Sequence, residues 1–317
     1  MIHVDRAAGL TTVQDLGRPG HRGRGIGAGG AADHLALVTA NMLVGNASAA
    51  AALEITLVGP TLSVDRPISI ALAGADLGMR IDGIACPPWR AFDLPAHGCI
   101  DFTGRRAGCR AILAVAGGID VAPVLGSRAT DLRAGIGGVA GRALRAGDVL
   151  PVGPPPAWRP PAGPALATDL RSHGGGTVRF IAGPEADWFT AAARDTFATS
   201  AYTLTPESDR MGCRLAGPPL PRAAPRDMLS QTVLPGTVQV PPGGMPIVLL
   251  ADAPVTGGYP RIGVVITVDL PIVAQTMPGD SLRFHEVGLD EAVALCRERR
   301  RALARLQVGL SCGETRR

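Results

Sequence analysis

The sequence predicts a mostly β protein with a few helices. Three observations carry this. Short apolar, β-branched runs recur along the chain, each ending in Gly, Pro or Asp. The 42 glycines and 28 prolines are scattered rather than gathered in a repeat, which asks for many tight turns between short strands. Few stretches show a helical period, so the strand–helix alternation of a doubly wound sheet is missing and barrels or sandwiches are favoured.

In the N-terminal half the strand runs are "LEITLVGPTLSV", "ISIALAG" and "RAILAVAGG". In the C-terminal half they are "TVRFIAG", "GTVQV", "PIVLLA", "VVITVDL" and "SLRFHEV". Three helices interrupt them. "AADHLALVTANMLVG" has Asp33 as its N-cap and Gly45-Asn46 as its stop. "PEADWFTAAARDTF" starts near Pro184, and "GLDEAVALCRERRRALARLQ" carries Asp290 and Glu291 in its first turn and arginines along one face. The seam is "GPPPAWRPPAGPA", residues 153 to 165, where so much proline continues neither helix nor central strand. It divides the chain into residues 1–165 and 166–288, with a C-terminal helix and tail at 289–317. The halves echo one another faintly. An apolar strand, a Gly-rich segment and a turn ending in Gly-Asp occur in "AILAVAGGIDVAPVLGSR" with "ALRAGDVL", and again in "PIVLLADAPVTGGYPRIG" with "QTMPGDSLRF".

Composition removes several functions. No apolar run approaches the ~18 residues of a membrane helix, and the first residues lack the basic-then-apolar pattern of a signal peptide, so a cytoplasmic protein without membrane attachment is expected. The six cysteines form no C-x-x-C pair and are expected to be reduced, with no metal site. The 31 Lys+Arg residues are all Arg. A lysine Schiff base, a Walker A lysine and a biotinylated lysine are therefore excluded, and any anion must be held by Arg, hydroxyls or backbone N–H. With a net charge of +4 and 3% aromatic residues, nucleic acid is not an expected partner.

Four stretches place glycine beside polar side chains between apolar runs: "GLTTVQDLGRPG", "LGSRATDLRAGIGG", "ESDRMGCRL" and "ADAPVTGGYPRIG". Strand-end loops on a rigid scaffold are where functional groups gather. The bland alternative is an internal Asp15–Arg18 pair in the first and a hydroxyl-capped turn in the second. In the third, Asp209 and Arg210 pair with each other only on a turn, because neighbours on a strand face opposite ways. In the fourth, Gly257 and Gly258 permit positive φ or close backbone approach and would fix Tyr259, one of only two tyrosines; the alternative is a buried tyrosine corner.

Taken in order, "GLTTVQDLGRPGHRG", "NMLVGNASAAAALEITLVGPTL", "LAVAGGIDVAPVLGSRATD", "GRALRAGDVL", "SDRMGCRL" and "GTVQVPPGGMPIVLLADAPVTGGYPRIG" closely resemble the biotin-dependent carboxyltransferase family, also called allophanate hydrolase subunit 2. Its members include the C-type component of bacterial 5-oxoprolinase, a carboxyltransferase part of urea carboxylase, and an antagonist of the Kip inhibitor of a sensor kinase. The resemblance runs from about residue 2 to residue 290. It implies two cyclophilin-like β-barrel subdomains. It implies a partner of the allophanate hydrolase subunit 1 kind, which is the B-type component of 5-oxoprolinase, with an A-type component in the larger complex. It also implies that no cofactor is covalently bound, that ATP is used by the complex, and that biotin is supplied in trans.

The implied activity is the ATP-dependent opening of 5-oxoproline to glutamate, or carboxyl transfer to urea or a related amide. The expected site has Asp209, Asp252 and Tyr259 as catalytic groups. Arg18, Asp33, Ser127, Arg128, Thr130, Arg210, Thr256, Gly257 and Gly258 would bind substrate. This chain departs from the family pattern at Gly27, Gly29, Ala32, Ala129, Gln231 and in Ala253-Pro254-Val255. Those departures keep a second reading in view, a regulatory module that sequesters a subunit-1-type inhibitor of a sensor kinase.

Overall fold

The apolar runs become strands, and the computed structural model, which describes residues 1–158, 160, 170–171 and 173–311, gathers them into two units. The first comprises the described parts of Met1–Arg18, Gly29–His173 and Arg301–Arg317; the second comprises Pro19–Ala28 and Gly174–Arg300. Part of the proline-rich seam, the boundary drawn at residue 165 and Cys312 lie outside the described residues.

The first unit contains β1 (Ile2–Arg6), β2 (Leu10–Gln14), α1 (His34–Leu43), β3 (Ala52–Thr56), β4 (Thr61–Val64) and β5 (Ile68–Asp76). It continues with β6 (Met79–Ile81), β7 (Ile84–Ala85), β8 (Arg90–Leu94), β9 (Cys99–Phe102), β10 (Ala107–Val115) and β11 (Val149–Leu150). One antiparallel sheet runs β11-β1-β4-β9-β6-β7 and the other β2-β3-β10-β5-β8. Their inner faces share one core, with Ile2, Val4, Leu62, Val64 and Ile100 from the first and Leu53, Ile55, Ile70, Leu72 and Leu113 from the second.

The alternate residues of the five-stranded sheet, Ala71, Ala73, Ile112 and Ala114, face the other way and pack on Ala36, Leu37, Ala40 and Leu43 of α1. Strands β5 and β10 are thus covered on both faces, which is why their sequences read as unbroken apolar runs. Alanine dominates the helix side and lets α1 lie close. Ala302, Leu303, Leu306 and Leu310 pack on the same cluster. Each large aliphatic side chain buried here contributes on the order of 1.5–3 kcal/mol.

The second unit contains β12 (Gly176–Ala182), α2 (Ala191–Thr199), β13 (Ala201–Leu204), β14 (Gly212–Ala216), β15 (Gln231–Thr232) and β16 (Thr237–Gln239). It continues with β17 (Ile247–Leu249), β18 (Thr256–Gly257), β19 (Arg261–Val265), α3 (Leu270–Gln275), β20 (Ser281–Glu286) and the start of α4 (Leu289–Ser311). Seven strands close a barrel in the order β12-β19-β16-β17-β14-β13-β20, with β12 and β20 parallel. Strands β15 and β18 form a separate two-stranded ribbon. The barrel interior concentrates the scarce aromatics. Phe197 stacks on Phe284 at 4.4 Å between centroids and meets Phe180 edge-on at 4.9 Å. Tyr202 completes the cluster; its hydroxyl donates to Pro218 O at 3.1 Å, and burial pushes its phenol pKa up to about 12.

Helix signals read from the sequence hold locally. The Asp33 carboxylate accepts from Ala36 N at 2.9 Å and caps α1, and Gly45 follows its end at φ +75°. "PEADWF" makes a 3-10 turn at Ala186–Trp188, and the α-helix starts later, where the Thr190 hydroxyl accepts from Ala193 N at 3.0 Å. "VVITVDL" is strand only as far as Val265. There Asp269 accepts from the backbone N and the guanidinium of Arg179, and Pro271 in the first turn of α3 starts a helix instead. The two Gly-Asp turns share one construction. In each, glycine has positive φ (+89° at Gly147, +94° at Gly279) and the following Asp carboxylate accepts the backbone N–H three residues back. Among the described residues no helix is long and apolar enough to cross a membrane.

Candidate functional site

Two polar clusters emerge, one in each unit. In the first unit, β2 ends at Gln14 and is followed by Asp15-Leu16-Gly17-Arg18, which lie against the loop at residues 127–130. Asp15 Oδ1 accepts from Gly17 N at 2.7 Å and from the Ser127 hydroxyl at 2.6 Å, while Oδ2 accepts from Arg128 N at 2.6 Å. The Ser127 hydroxyl also accepts from Ala129 N at 3.0 Å. Gln14 Nε2 donates to Thr12 Oγ1 and to Thr130 O, both at 3.1 Å. The Thr130 hydroxyl donates to Val13 O at 3.0 Å.

Arg18 lies against this loop with 0% of its surface exposed and gives one Nη2 hydrogen bond to Ala129 O. Its Nε and Nη1 are buried without a hydrogen-bond partner. Gly137 makes room for it. At φ +73°, a Cβ there would fall 2.8 Å from Arg18 Nη2 and 2.0 Å from Ala129 O.

Arg18, Ser127 and Thr130 are therefore brought together at one loop. Arg128 goes elsewhere: its guanidinium donates to Val121 O at 2.8 Å and pairs with Asp120 at 2.7 Å near the surface. Asp33 is buried and caps α1. Sequence reasoning placed Gln14 and Asp15 in this stretch without giving them a site role. It missed Glu54, which is 1% exposed on central strand β3, opposite Thr12 and Ile112, and accepts from Ala32 N at 2.7 Å. A carboxylate inside the apolar run "LEIT" is the signal that could have found it.

In the second unit, Asp209 is exposed on the turn before β14, and its carboxylate accepts from Met211 N at 2.7 Å and Gly212 N at 3.1 Å. Arg210 is buried and pairs side-on with Asp252, through Nε at 2.9 Å and Nη2 at 3.0 Å. Thr256 and Gly257 form β18, paired with Gln231 and Thr232.

Gly257 lies close to Gln239: a Cβ would fall 2.4 Å from Gln239 Nε2 and would displace that side chain. That amide donates to Tyr259 O at 3.3 Å. Arg261 follows, clamped side-on by Glu185 through Nε at 2.7 Å and Nη2 at 2.5 Å, with Nη1 reaching Thr232 O at 3.1 Å. Burial pushes the Glu185 carboxyl up, but the Arg261 hydrogen bonds outweigh it and hold the pKa below its ordinary 4.5. The backbone around Tyr259 is thus fixed from both sides while its side chain stays 43% exposed; the buried tyrosine is Tyr202. Gln239, Glu185 and Arg261 carry this segment, and none of them stood out in the sequence. Among the described residues no group of three or more His, Cys, Asp or Glu side chains is placed to hold a metal ion.

A family model described as carboxyltransferase domain, subdomain A and B, matches residues 24–286. The chain is 42% identical over 314 residues to the C-type component of 5-oxoprolinase of Escherichia coli, covering 96% of this chain and 97% of that one. It is 37% identical over 298 residues to the corresponding 5-oxoprolinase component of Haemophilus influenzae, covering 94% and 95%. Among solved structures, the urea amidolyase of K. lactis superposes with a TM-score of 0.89 at 28% identity, covering 95% of this chain and 20% of that one. The mostly β architecture, the closed barrel and the near full-length match agree, and the chain belongs to the family of carboxyltransferase domains with subdomains A and B.

Proposed function

We propose that the chain is the C-type component of an ATP-dependent 5-oxoprolinase that opens the lactam of 5-oxoproline to glutamate. The observation that carries this is the 42% identity with a C-type 5-oxoprolinase component over nearly the whole of both chains. The reading assigns a hydrolytic role within a cytoplasmic complex that also contains a B-type and an A-type component. Five reduced cysteines among the described residues suit that compartment.

The site chemistry supports a small carboxylate or amide as ligand. Arg18 offers N–H donors on two nitrogens that no protein group accepts. A buried guanidinium with spare donors is suited to a carboxylate or a polarised carbonyl oxygen. The same donors would suit the carboxylate of carboxylated biotin carried on another chain. We assign the nucleotide to a partner protein, since a chain without lysine cannot supply the Walker A lysine of a P-loop. Bound there, ATP supplies the driving force for opening the amide, while Arg18 holds and orients the acceptor oxygen.

In the second unit, Asp209 and Asp252 are committed to a turn and to Arg210, so we give them positioning roles. The exposed residues Thr256 and Tyr259 are the hydroxyl-bearing groups of that segment with access to a ligand. The test is co-expression with the A-type and B-type components. The expected result is a co-purifying complex that converts 5-oxoproline to glutamate only when ATP is supplied. A complex that forms but turns over urea or another amide instead would replace this reading with the carboxyltransferase one.

A further inference from the structure

Among the described residues, five buried side-chain atoms without a hydrogen-bond partner fall in one short segment: Gln14 Oε1, Arg18 Nε and Nη1, His21 Nδ1 and Arg22 Nε. Native interiors rarely leave such atoms unmatched, because each has given up its bonds to water without replacement, at a higher cost when the group is charged. Two of the four residues belong to the first unit and are tied to the same loop. Gln14 Nε2 donates to Thr130 O and Arg18 Nη2 donates to Ala129 O, so both side chains are anchored on consecutive carbonyls.

The anchoring fixes what each has left. The Gln14 NH2 is used up by Thr12 Oγ1 and Thr130 O, so its amide orientation is set and a lone acceptor, Oε1, is spare. Arg18 has one N–H on Nε and two on Nη1 to give. A spare acceptor and spare donors on side chains anchored to adjacent carbonyls match a ligand that presents N–H and C=O on one edge. Five-membered lactams are locked in that cis-amide geometry, and urea offers the same edge.

We infer that Gln14 and Arg18 together form a cis-amide recognition site, in which Arg18 donates to the ligand's carbonyl oxygen and Gln14 Oε1 accepts its N–H. The inference deepens the proposed function and rests on it for the choice of lactam. It assigns Gln14, which carries no charge and no catalytic chemistry, as the residue that demands an unsubstituted amide nitrogen.

The experiment is calorimetric titration of the assembled complex, without ATP, using 5-oxoproline, N-methyl-5-oxoproline and urea. Wild type is expected to bind 5-oxoproline and to bind the N-methyl compound at least about tenfold more weakly, because a buried acceptor is then left unmatched. In Gln14→Leu that preference is expected to vanish. In Arg18→Met binding of every probe is expected to be lost, while thermal stability stays level or rises, since an uncompensated buried charge has been removed. Binding of urea alone would keep the site and change the source of the amide. Equal binding of the N-methyl compound by wild type, or undiminished binding by Arg18→Met, overturns the inference. A complex carrying both substitutions that still turns over 5-oxoproline normally would overturn it too and leave the proposed function standing.

Discussion

Arg18 is buried with a single hydrogen bond, and its neighbours are shaped to keep it there. Gly137 is the clearest of them. Gly137→Ala would force a side chain into the left-handed region and push a Cβ to 2.0 Å from Ala129 O, the carbonyl that anchors Arg18. The expected outcome is a loss of at least about 1 kcal/mol in urea unfolding, from the backbone strain alone, together with weaker 5-oxoproline binding. Arg18 stood out in the sequence as a cation between glycines at a strand end, with an internal pair to Asp15 as its bland alternative. Glu54 and Gln239 were less so. Each sits in a strand with apolar neighbours, and only the three-dimensional pairing shows that both faces are covered there. Tyr259 was legible as a fixed residue, but the agents that fix it are remote in sequence: the Gln239 amide from β16, and Glu185, on a turn, which clamps Arg261.

At the scale of elements, local chemistry decides where helices begin. Asp33→Ala removes the acceptor for Ala36 N and is expected to cost about 1–2 kcal/mol, read as a lower urea midpoint with an unchanged slope. The cap was visible in the sequence because Asp precedes an apolar-periodic run. Helix α3 was not, because "VVITVDL" has the β-branched content of a strand and the Arg179–Asp269 contact that ends it is made across 90 residues. The β15–β18 ribbon offers another test. Gly257→Ala would displace Gln239 and free the Tyr259 carbonyl, and turnover in the complex is expected to fall while the barrel still melts cooperatively. The ribbon is only two residues deep on each side, and its glycine sits outside the barrel ring.

At the scale of the whole molecule, strand spacing suggested two β-rich portions, but the change of unit comes between His173 and Gly174, beyond the proline-rich stretch offered as the seam. The course of the chain between the units was not legible. Pro19–Ala28 belongs to the second unit although it lies deep in the N-terminal half, and its Gly- and Arg-rich sequence, "PGHRGRGIGA", reads only as a loop. The charge pairs that hold each unit give the stability a pH dependence. The folded-state pKa of Glu185 lies below its ordinary 4.5, so the Arg261 pair contributes fully above that value and its contribution is lost as pH falls through the lower folded value. Wild type is expected to melt above Glu185→Gln at neutral pH, and the difference is expected to close in acid below about pH 4.5. A gap that widened on acidification would contradict the sign of that shift.

The account depends most on this chain's being one part of a lactam-opening machine. The direct measurement is glutamate released from 5-oxoproline by the three-component assembly, with and without this chain, at saturating ATP. Glutamate formation that requires both the nucleotide and this chain, and that collapses with Arg18→Met, is the predicted result. Glutamate formed equally well when the chain is left out would contradict it.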